Sequence, residues 1–263
     1  MSKILLVGDF VSKGKIAGNI MEPVLSYVGH DVSFLPSALI SNNFSLGKVT
    51  IFDTSEHMKN CLKVWDKLNL NFDIIFIGFI NDIGQKDIIF SYIDSLDYNP
   101  MIILDPIMAD DGKLYQGVGE EKIAIYKKIL DRSKLVLSNV SEANFLGLDD
   151  YESLTKDDKK YVITSLKDER GFYNLAIDKS IEKHYYKKIN HDFAGTGDLL
   201  DAIFISYYLK DYDFMKASKE SIDKIYQILA ANKNDYPDDI DIHIEKYLYL
   251  LDDGGDFAGK KIL

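Results

Sequence analysis

A chain of 263 residues, 46% apolar and 28% charged, is long enough to bury a sizeable core. Its formal net charge of −11 argues against a nucleic-acid binder, which carries a basic face, but not against a nucleotide that arrives with a cation. One cysteine, Cys61, allows no internal disulfide and no cysteine metal cluster, and no apolar stretch has membrane-spanning length, so no membrane partner and a cytoplasmic home are expected.

Along the chain, short apolar runs alternate with amphipathic stretches. Residues 4–7 form the first run, which Asp9 cuts too short for a signal peptide, and which reads as a strand. Further strands are expected at residues 32–35, 74–79, 101–104, 135–137, 161–164 and 173–177, several of them uniformly apolar as parallel strands covered on both faces are. Helices are expected at residues 16–28, 55–68, 84–96, 120–130, 198–209, 218–231 and 240–250. Residues 172–189 alternate like a meander with a turn at Asp178-Lys179-Ser180, and the charge run 156–160 reads as a solvated turn. The alternation implies an α/β fold, a three-layer α/β/α sandwich around a central, mostly parallel sheet, in one domain spanning residues 1–263. In such sheets ligands sit beyond the carboxyl ends of the strands, which here read Gly8-Asp9, Pro36-Ser37, Gly78-Phe79, Asp105-Pro106, Ser138-Asn139 and Thr164-Ser165.

The stretch Gly195-Thr196-Gly197-Asp198 carries the most chemistry. It follows a polar loop, 187–192, and opens an apolar run, 199–209. Two glycines let backbone approach an anion, and the first-turn N–H groups of a helix attract one. Asp198 then stands where a hydroxyl about to attack phosphorus would surrender a proton, which points to a small-molecule kinase. The same four residues also suit an ordinary helix cap.

Three motifs in order, Asp105-Pro106-Ile107-Met108-Ala109-Asp110-Asp111-Gly112-Lys113-Leu114-Tyr115, then Asn139-Val140-Ser141-Glu142-Ala143, then Gly195-Thr196-Gly197-Asp198, resemble the ribokinase superfamily, within it the pyridoxal and pyridoxamine kinases. The resemblance runs over nearly the whole length and implies a ribokinase-like fold with a small lid. It implies ATP-dependent phosphorylation of the 5′-hydroxymethyl group of pyridoxal, pyridoxamine or pyridoxine. Asp198 would be the base, and the N–H groups of Gly195, Thr196 and Gly197 the anion hole. Asp105, Asp110 and Glu142 would serve Mg²⁺, often through waters, and Asn139, Glu142, Thr164 and Ser165 the nucleotide phosphates. Asp9, Asn43 and Phe79 would border the vitamer. A monovalent cation such as K⁺ and a homodimer are further implications. Residue by residue, Asp105-Pro106 also suits a strand-ending turn and Ser141-Glu142 a helix start, while Asp111-Gly112-Lys113 is a turn signature in a stretch, 109–119, that can close over a nucleotide.

The vitamer side departs from the family pattern. A Ser-Thr-His-Thr-like stretch is replaced by Ser41-Asn42-Asn43-Phe44-Ser45, and a Gly-Tyr pair by Gly78-Phe79, followed by Ile80-Asn81. Val11 stands in a serine place, Ser138 in that of a proline, and Leu200-Asp201 in that of Phe-Ala. Asp201 is expected on the exposed side of its helix or paired with a lysine. Three rivals follow. A hydroxymethylpyrimidine or other small-alcohol kinase is disfavoured by Asp198, where such relatives carry cysteine. A non-catalytic binding homologue has no need of three costly carboxylates. A dinucleotide-dependent oxidoreductase would need a Gly-x-Gly-x-x-Gly turn after the first strand, which residues 8–14 do not provide.

Overall fold

The computed structural model describes residues 1–43, 46–211 and 213–252. A nine-stranded sheet runs in the order β11-β10-β9-β8-β5-β4-β1-β2-β3. Its strands are β1 (Lys3–Val11), β2 (Asp31–Ile40), β3 (Ile51–Asp53), β4 (Ile74–Ile77), β5 (Met101–Leu104), β8 (Leu135–Asn139), β9 (Lys160–Asp168), β10 (Gly171–Ile177) and β11 (Ile181–Tyr186). The block from β9 to β2 is parallel. β3, β10 and β11 join its two ends antiparallel. A separate two-stranded hairpin, β6 (Ala109–Asp110) and β7 (Lys113–Leu114), stands off the sheet.

The apolar strands obey their two-residue period on two covered faces. Leu5 and Val7 of β1, Ile75 and Ile77 of β4, and Ile102 and Leu104 of β5 enter one core with α2 (Ser55–Lys67), α3 (Ile83–Ser95), α4 (Glu120–Arg132) and α5 (Val140–Leu146). Ile4, Leu6, Ile74, Phe76 and Ile103 enter the other, with α1 (Gly18–Tyr27), α7 (Thr196–Asp211) and α8 (Phe214–Asp235). Neither face of these strands meets water, which is why they read as continuous apolar runs. A four-residue helix, α6 (Tyr151–Leu154), completes the set.

All seven expected strands appear, and six of the seven expected helices. The exception is residues 240–250. Ile242, Ile244, Tyr247 and Leu251 are buried there, but along two 3-10 turns, Ile244–Lys246 and Leu248–Leu251. The chain is held by contacts outside a helix: Ala194 N–H bonds the Ile240 carbonyl, and His243 N–H bonds Asn232 Oδ1. β4 ends at Ile77, two residues early, because residues 78–81 turn toward α4. β1 has β2 on one side and β4 on the other. The chain thus reverses its direction of growth beside β1, and a crevice opens at the carboxyl ends of β1 and β4. Among the described residues no helix is long and apolar enough to cross a membrane.

Candidate active site

The N-terminus of α7 faces this crevice. Gly195 has φ +78°, and a Cβ on it would lie 2.3 Å from the Lys15 carbonyl oxygen. Only glycine lets the two backbones come that close while the chain takes the left-handed turn into the helix. Thr196 and Gly197 head α7, and Leu199 N–H bonds the Gly195 carbonyl at 3.0 Å. Asp198 follows in the first turn, half-buried. Burial pushes its pKa above the ordinary carboxylate value, opposed by hydrogen bonds from the Ala17 N–H and from its own. Ala17 precedes α1 with φ 48°, a rare conformation for a residue with a side chain, and its N–H is what reaches Asp198.

Two cavities meet at Asp198. The smaller lies at the ends of β1 and β4, walled by Asp9, Gly18, Met21, Phe34, Gly78 and Phe79, and encloses about 10 Å³. That is room for about one water. Asp9 is buried where the β1–β2 register shifts past Ser37 of β2, and its pKa is pushed up to about 7, first by burial and then by the charge of Asp198. Phe79 lines this cavity while its side chain packs on Val11, Ala38 and Ile40, and the Phe34 ring fills the space over Gly18, where a Cβ would be 2.5 Å away. Asn43 is buried behind the wall, its N–H on the Lys13 carbonyl and its Cβ against Gly14. It is not part of the lining, so the structure does not bring it together with Asp9 and Phe79. Phe44 and Ser45 lie outside the described residues.

The larger cavity, about 610 Å³, is of nucleotide size. Gly195, Thr196, Gly197, Asp105, Asp110, Asn139, Glu142, Thr164 and Ser165 all line it. Asp198 and Ile107 border both cavities, and Asp198 is the one titratable side chain shared by the two linings. Ser165 takes φ 64° at an irregularity in the β9–β10 pairing, with its N–H on Asn174 Oδ1 at 3.3 Å. Such an extra residue turns strand backbone toward the space beside it. The β6–β7 hairpin forms one rim and is tied to α5 by Gly112 N–H on Ser141 Oγ at 2.7 Å.

Carboxylates crowd the floor. Glu142 closes a capping box on α5: its Oε2 accepts from Asn139 N–H at 3.0 Å while Asn139 Oδ1 accepts from Glu142 N–H at 3.0 Å. Glu142 Oε1 also accepts from Met108 N–H at 3.2 Å. Burial nevertheless raises its pKa to about 8. The helix-start reading of Ser141-Glu142 therefore holds, and the same carboxylate lines the cavity. Asp105 and Asp201 are both buried and stand against one another. Both are raised well above the ordinary range, by burial and by neighbouring carboxylates. The expectation of an exposed or lysine-paired Asp201 is thus overturned. Leu199 to Leu209 of α7 are buried on every side, which leaves Asp201 no exposed face, and it turns to Asp105. Asp110 is exposed on the hairpin, its Oδ1 accepting from Asp111 N–H at 2.9 Å. Among the described residues no three His, Cys, Asp or Glu side chains converge into a metal cluster. The Ser138 hydroxyl, buried in the same lining, has no hydrogen-bond partner.

Sequence reasoning missed the far end of the larger cavity. Tyr186, Phe193, Ile222, Ile225, Tyr226 and Leu229 build an apolar slot there, with Lys187 and Lys188 at its mouth. The four from α8 are spaced i, i+3, i+4, i+7, a stripe that reads equally as core. His191 also belongs to this wall: its ring packs tilted against Phe193 with centroids 4.4 Å apart, and its Nε2 lies 2.7 Å from the Asp239 carbonyl oxygen.

No family model matches the chain. A pyridoxal kinase of Arabidopsis thaliana is 26% identical over 264 residues, covering 89% of this chain and 83% of that protein. The crystal structure of pyridoxal kinase from Lactobacillus plantarum superposes with a TM-score of 0.87 at 21% identity, over 95% of this chain and 96% of the other. Pyridoxal kinase from Leishmania donovani in complex with ADP and pyridoxamine gives 0.77 at 15% identity, over 95% and 96%. The fold is the three-layer, ribokinase-like sandwich.

Proposed function

From its likeness to the pyridoxal kinases of the ribokinase superfamily, along almost all of its length, we propose that this chain is an ATP-dependent kinase of B6 vitamers, the whole chain acting as one kinase domain. It transfers the γ-phosphoryl group of ATP to the 5′-hydroxymethyl group of pyridoxal, pyridoxamine or pyridoxine. The observation that carries this reading is the place of Asp198, the titratable group common to a nucleotide-sized cavity and a slot with an aromatic wall.

ATP lies in the larger cavity, its base in the apolar slot of Phe193, Ile222, Tyr226 and Leu229 and its phosphates toward α7. The backbone N–H groups of Gly195, Thr196 and Gly197 receive the migrating phosphoryl group, with the helix dipole behind them. The vitamer enters the small cavity with Phe79 on its ring and Asp9 at its edge. A cavity of about 10 Å³ does not admit a pyridine ring, so binding the acceptor opens this wall. Asp198 accepts the proton of the attacking hydroxyl. The transition state is loose and little proton transfer precedes it, so a modest base suffices. The Ala17 N–H holds that carboxylate on the line between acceptor and phosphate.

The donor set fits a divalent cation. After burial, the charges of Asp201 and Glu142 raise the pKa of Asp105, those of Asp198 and Glu142 raise that of Asp201, and among the described residues the Ser138 oxygen has no partner. Mg²⁺, completed by nucleotide oxygens and water, supplies the positive charge that screens the phosphates when bound. Asp105, Asp110 and Glu142, joined by Asp201 and Ser138, are the residues that would hold it, and a K⁺ ion would be compatible with the same oxygen set. Phe10, Leu39 and Phe52 stand exposed in one cross-strand row at the β3 edge of the sheet, which supports a homodimer through that face.

The roles are tested on Asp198→Asn. Turnover of ATP with a vitamer is expected to fall by a factor of about 1,000 or more, with ADP affinity, read by calorimetry, within about threefold of the parent. Surviving turnover removes Asp198 as the base.

A further inference from the structure

α4 carries a lysine where a lysine has no obvious reason to be. Lys122 is 6% exposed, and lysines are almost never that buried unless paired. Its partners are carbonyl oxygens and a ring. The ammonium donates to the carbonyls of Ile80 and of Asn81, the latter at 2.7 Å, and stands 4.9 Å from the centroid of the Phe79 ring. One turn later, the buried Tyr126 hydroxyl accepts from Ile80 N–H at 3.3 Å and lies 3.2 Å from the carbonyls of Gly78 and of Ile107. Ser37 Oγ donates to the Phe79 carbonyl, and Gln85 Oε1 accepts from Asn81 N–H at 2.9 Å.

The carbonyls of residues 79–81 therefore each have a side-chain donor, two of them the same ammonium, and that of Gly78 shares the single Tyr126 proton with Ile107. This is the segment that leaves β4 and presents Phe79 to the cavity shared with Asp9 and Asp198. Desolvating an ammonium is costly, and two neutral carbonyls would be satisfied as well by uncharged donors. What an ammonium adds is a positive charge near the Phe79 ring, which fixes the ring by cation–π attraction. We propose that Lys122 is a positioning residue of the acceptor subsite: it sets the plane of Phe79 on which the aromatic acceptor stacks. This rests on the functional reading above, and it predicts an effect on the acceptor with none on the nucleotide, whose cavity Lys122 does not line.

Two measurements test it. 4-Fluorophenylalanine placed at position 79 reports the ring without any substrate: fluorine NMR should give one sharp line in the parent and a shifted, broadened line in Lys122→Met. In kinetics, Lys122→Met should raise the Michaelis constant for the acceptor about tenfold, the weight of one aromatic contact, and leave that for ATP within about twofold. Combined with Phe79→Leu it should add nothing further to the acceptor effect. If Lys122→Met does not fold, Lys122→Gln, which keeps one donor and loses the charge, must move the line the same way. An unchanged fluorine line, or equal loss toward both substrates, overturns the proposal. A parent protein that phosphorylates no vitamer overturns the functional reading instead, and the NMR comparison still decides the role of Lys122.

Discussion

Gly195→Ala perturbs the junction on which the catalytic proposal depends. At φ +78° an alanine pays about 1–2 kcal/mol for the left-handed conformation. Its methyl would sit 2.3 Å from the Lys15 carbonyl oxygen, 3.2 Å from Ile16 Cγ2 and 3.3 Å from Ile16 Cα. Two of these neighbours are backbone and cannot rotate away, so overpacking adds about 1–3 kcal/mol. The loss of about 2–5 kcal/mol lowers the melting temperature by roughly 4–20 °C in a chain of this size. Relief requires the start of α7 to part from residues 15–17, by something near 1 Å. That shifts the anion hole and removes the Ala17 N–H from Asp198 together, and kcat should fall about 100-fold. Gly147→Ala is the control. Gly147 has φ +81° and nothing within 4 Å of a built Cβ, so it carries the conformational cost alone and should leave kcat unchanged. Thermal melts and steady-state rates on both variants decide the matter. A Gly195→Ala enzyme with kcat within threefold of the parent refutes the claim that this close approach sets the site.

The remaining predictions concern the carboxylate floor. Asp9 and Glu142 titrate near 7 and 8 in the folded protein, and Asp105 and Asp201 are raised as well, whereas unfolded carboxylates titrate near 4. Groups raised in this way stabilise the fold below about pH 4 relative to higher pH, and that advantage is lost as pH climbs toward 7–8. Asp201→Asn keeps a hydrogen-bonding partner for Asp105 and removes one charge, so in melts from pH 4.5 to 8.5 its stability relative to the parent should rise with pH; parallel curves contradict this. Adding Mg²⁺ should raise the parent's melting temperature more at pH 8 than at pH 5, and more than it raises that of Asp201→Asn, whereas a pH-independent gain contradicts a cation held by these groups.

The layers were legible because the signal is local. Strands such as Met101–Leu104 and helices such as Ser55–Lys67 announce themselves by period and composition alone. Residues 240–250 misled because buried Ile242, Ile244 and Tyr247 mimic helical spacing while partners distant in sequence, Ala194 and Asn232, hold the backbone. Residues of the three motifs line one cavity because they end strands or begin helices, whereas Asn43 reaches neither cavity lining. An exposed or lysine-paired Asp201 conflicts with the apolar run it sits in: eleven consecutive residues, 199–209, contain no second charge, which marks a helix buried all round. The apolar slot on α8 and the Lys122–Tyr126 clamp were illegible for a different reason. Their meaning comes from what lies opposite them across the fold, and nothing in a stripe of isoleucines or a lone lysine at i, i+4 from a tyrosine says which loop they will meet.

Asp198 is proposed as the point where an aromatic alcohol and ATP meet. The direct measurement is phosphoryl transfer from ATP and Mg²⁺ to a panel of pyridoxal, pyridoxamine, pyridoxine and hydroxymethylpyrimidine, with products resolved by phosphorus NMR. The account predicts a 5′-phosphate on at least one vitamer and, in the same assay, none with Asp198→Asn. Transfer confined to the pyrimidine, or vitamer phosphorylation that persists in Asp198→Asn, contradicts it.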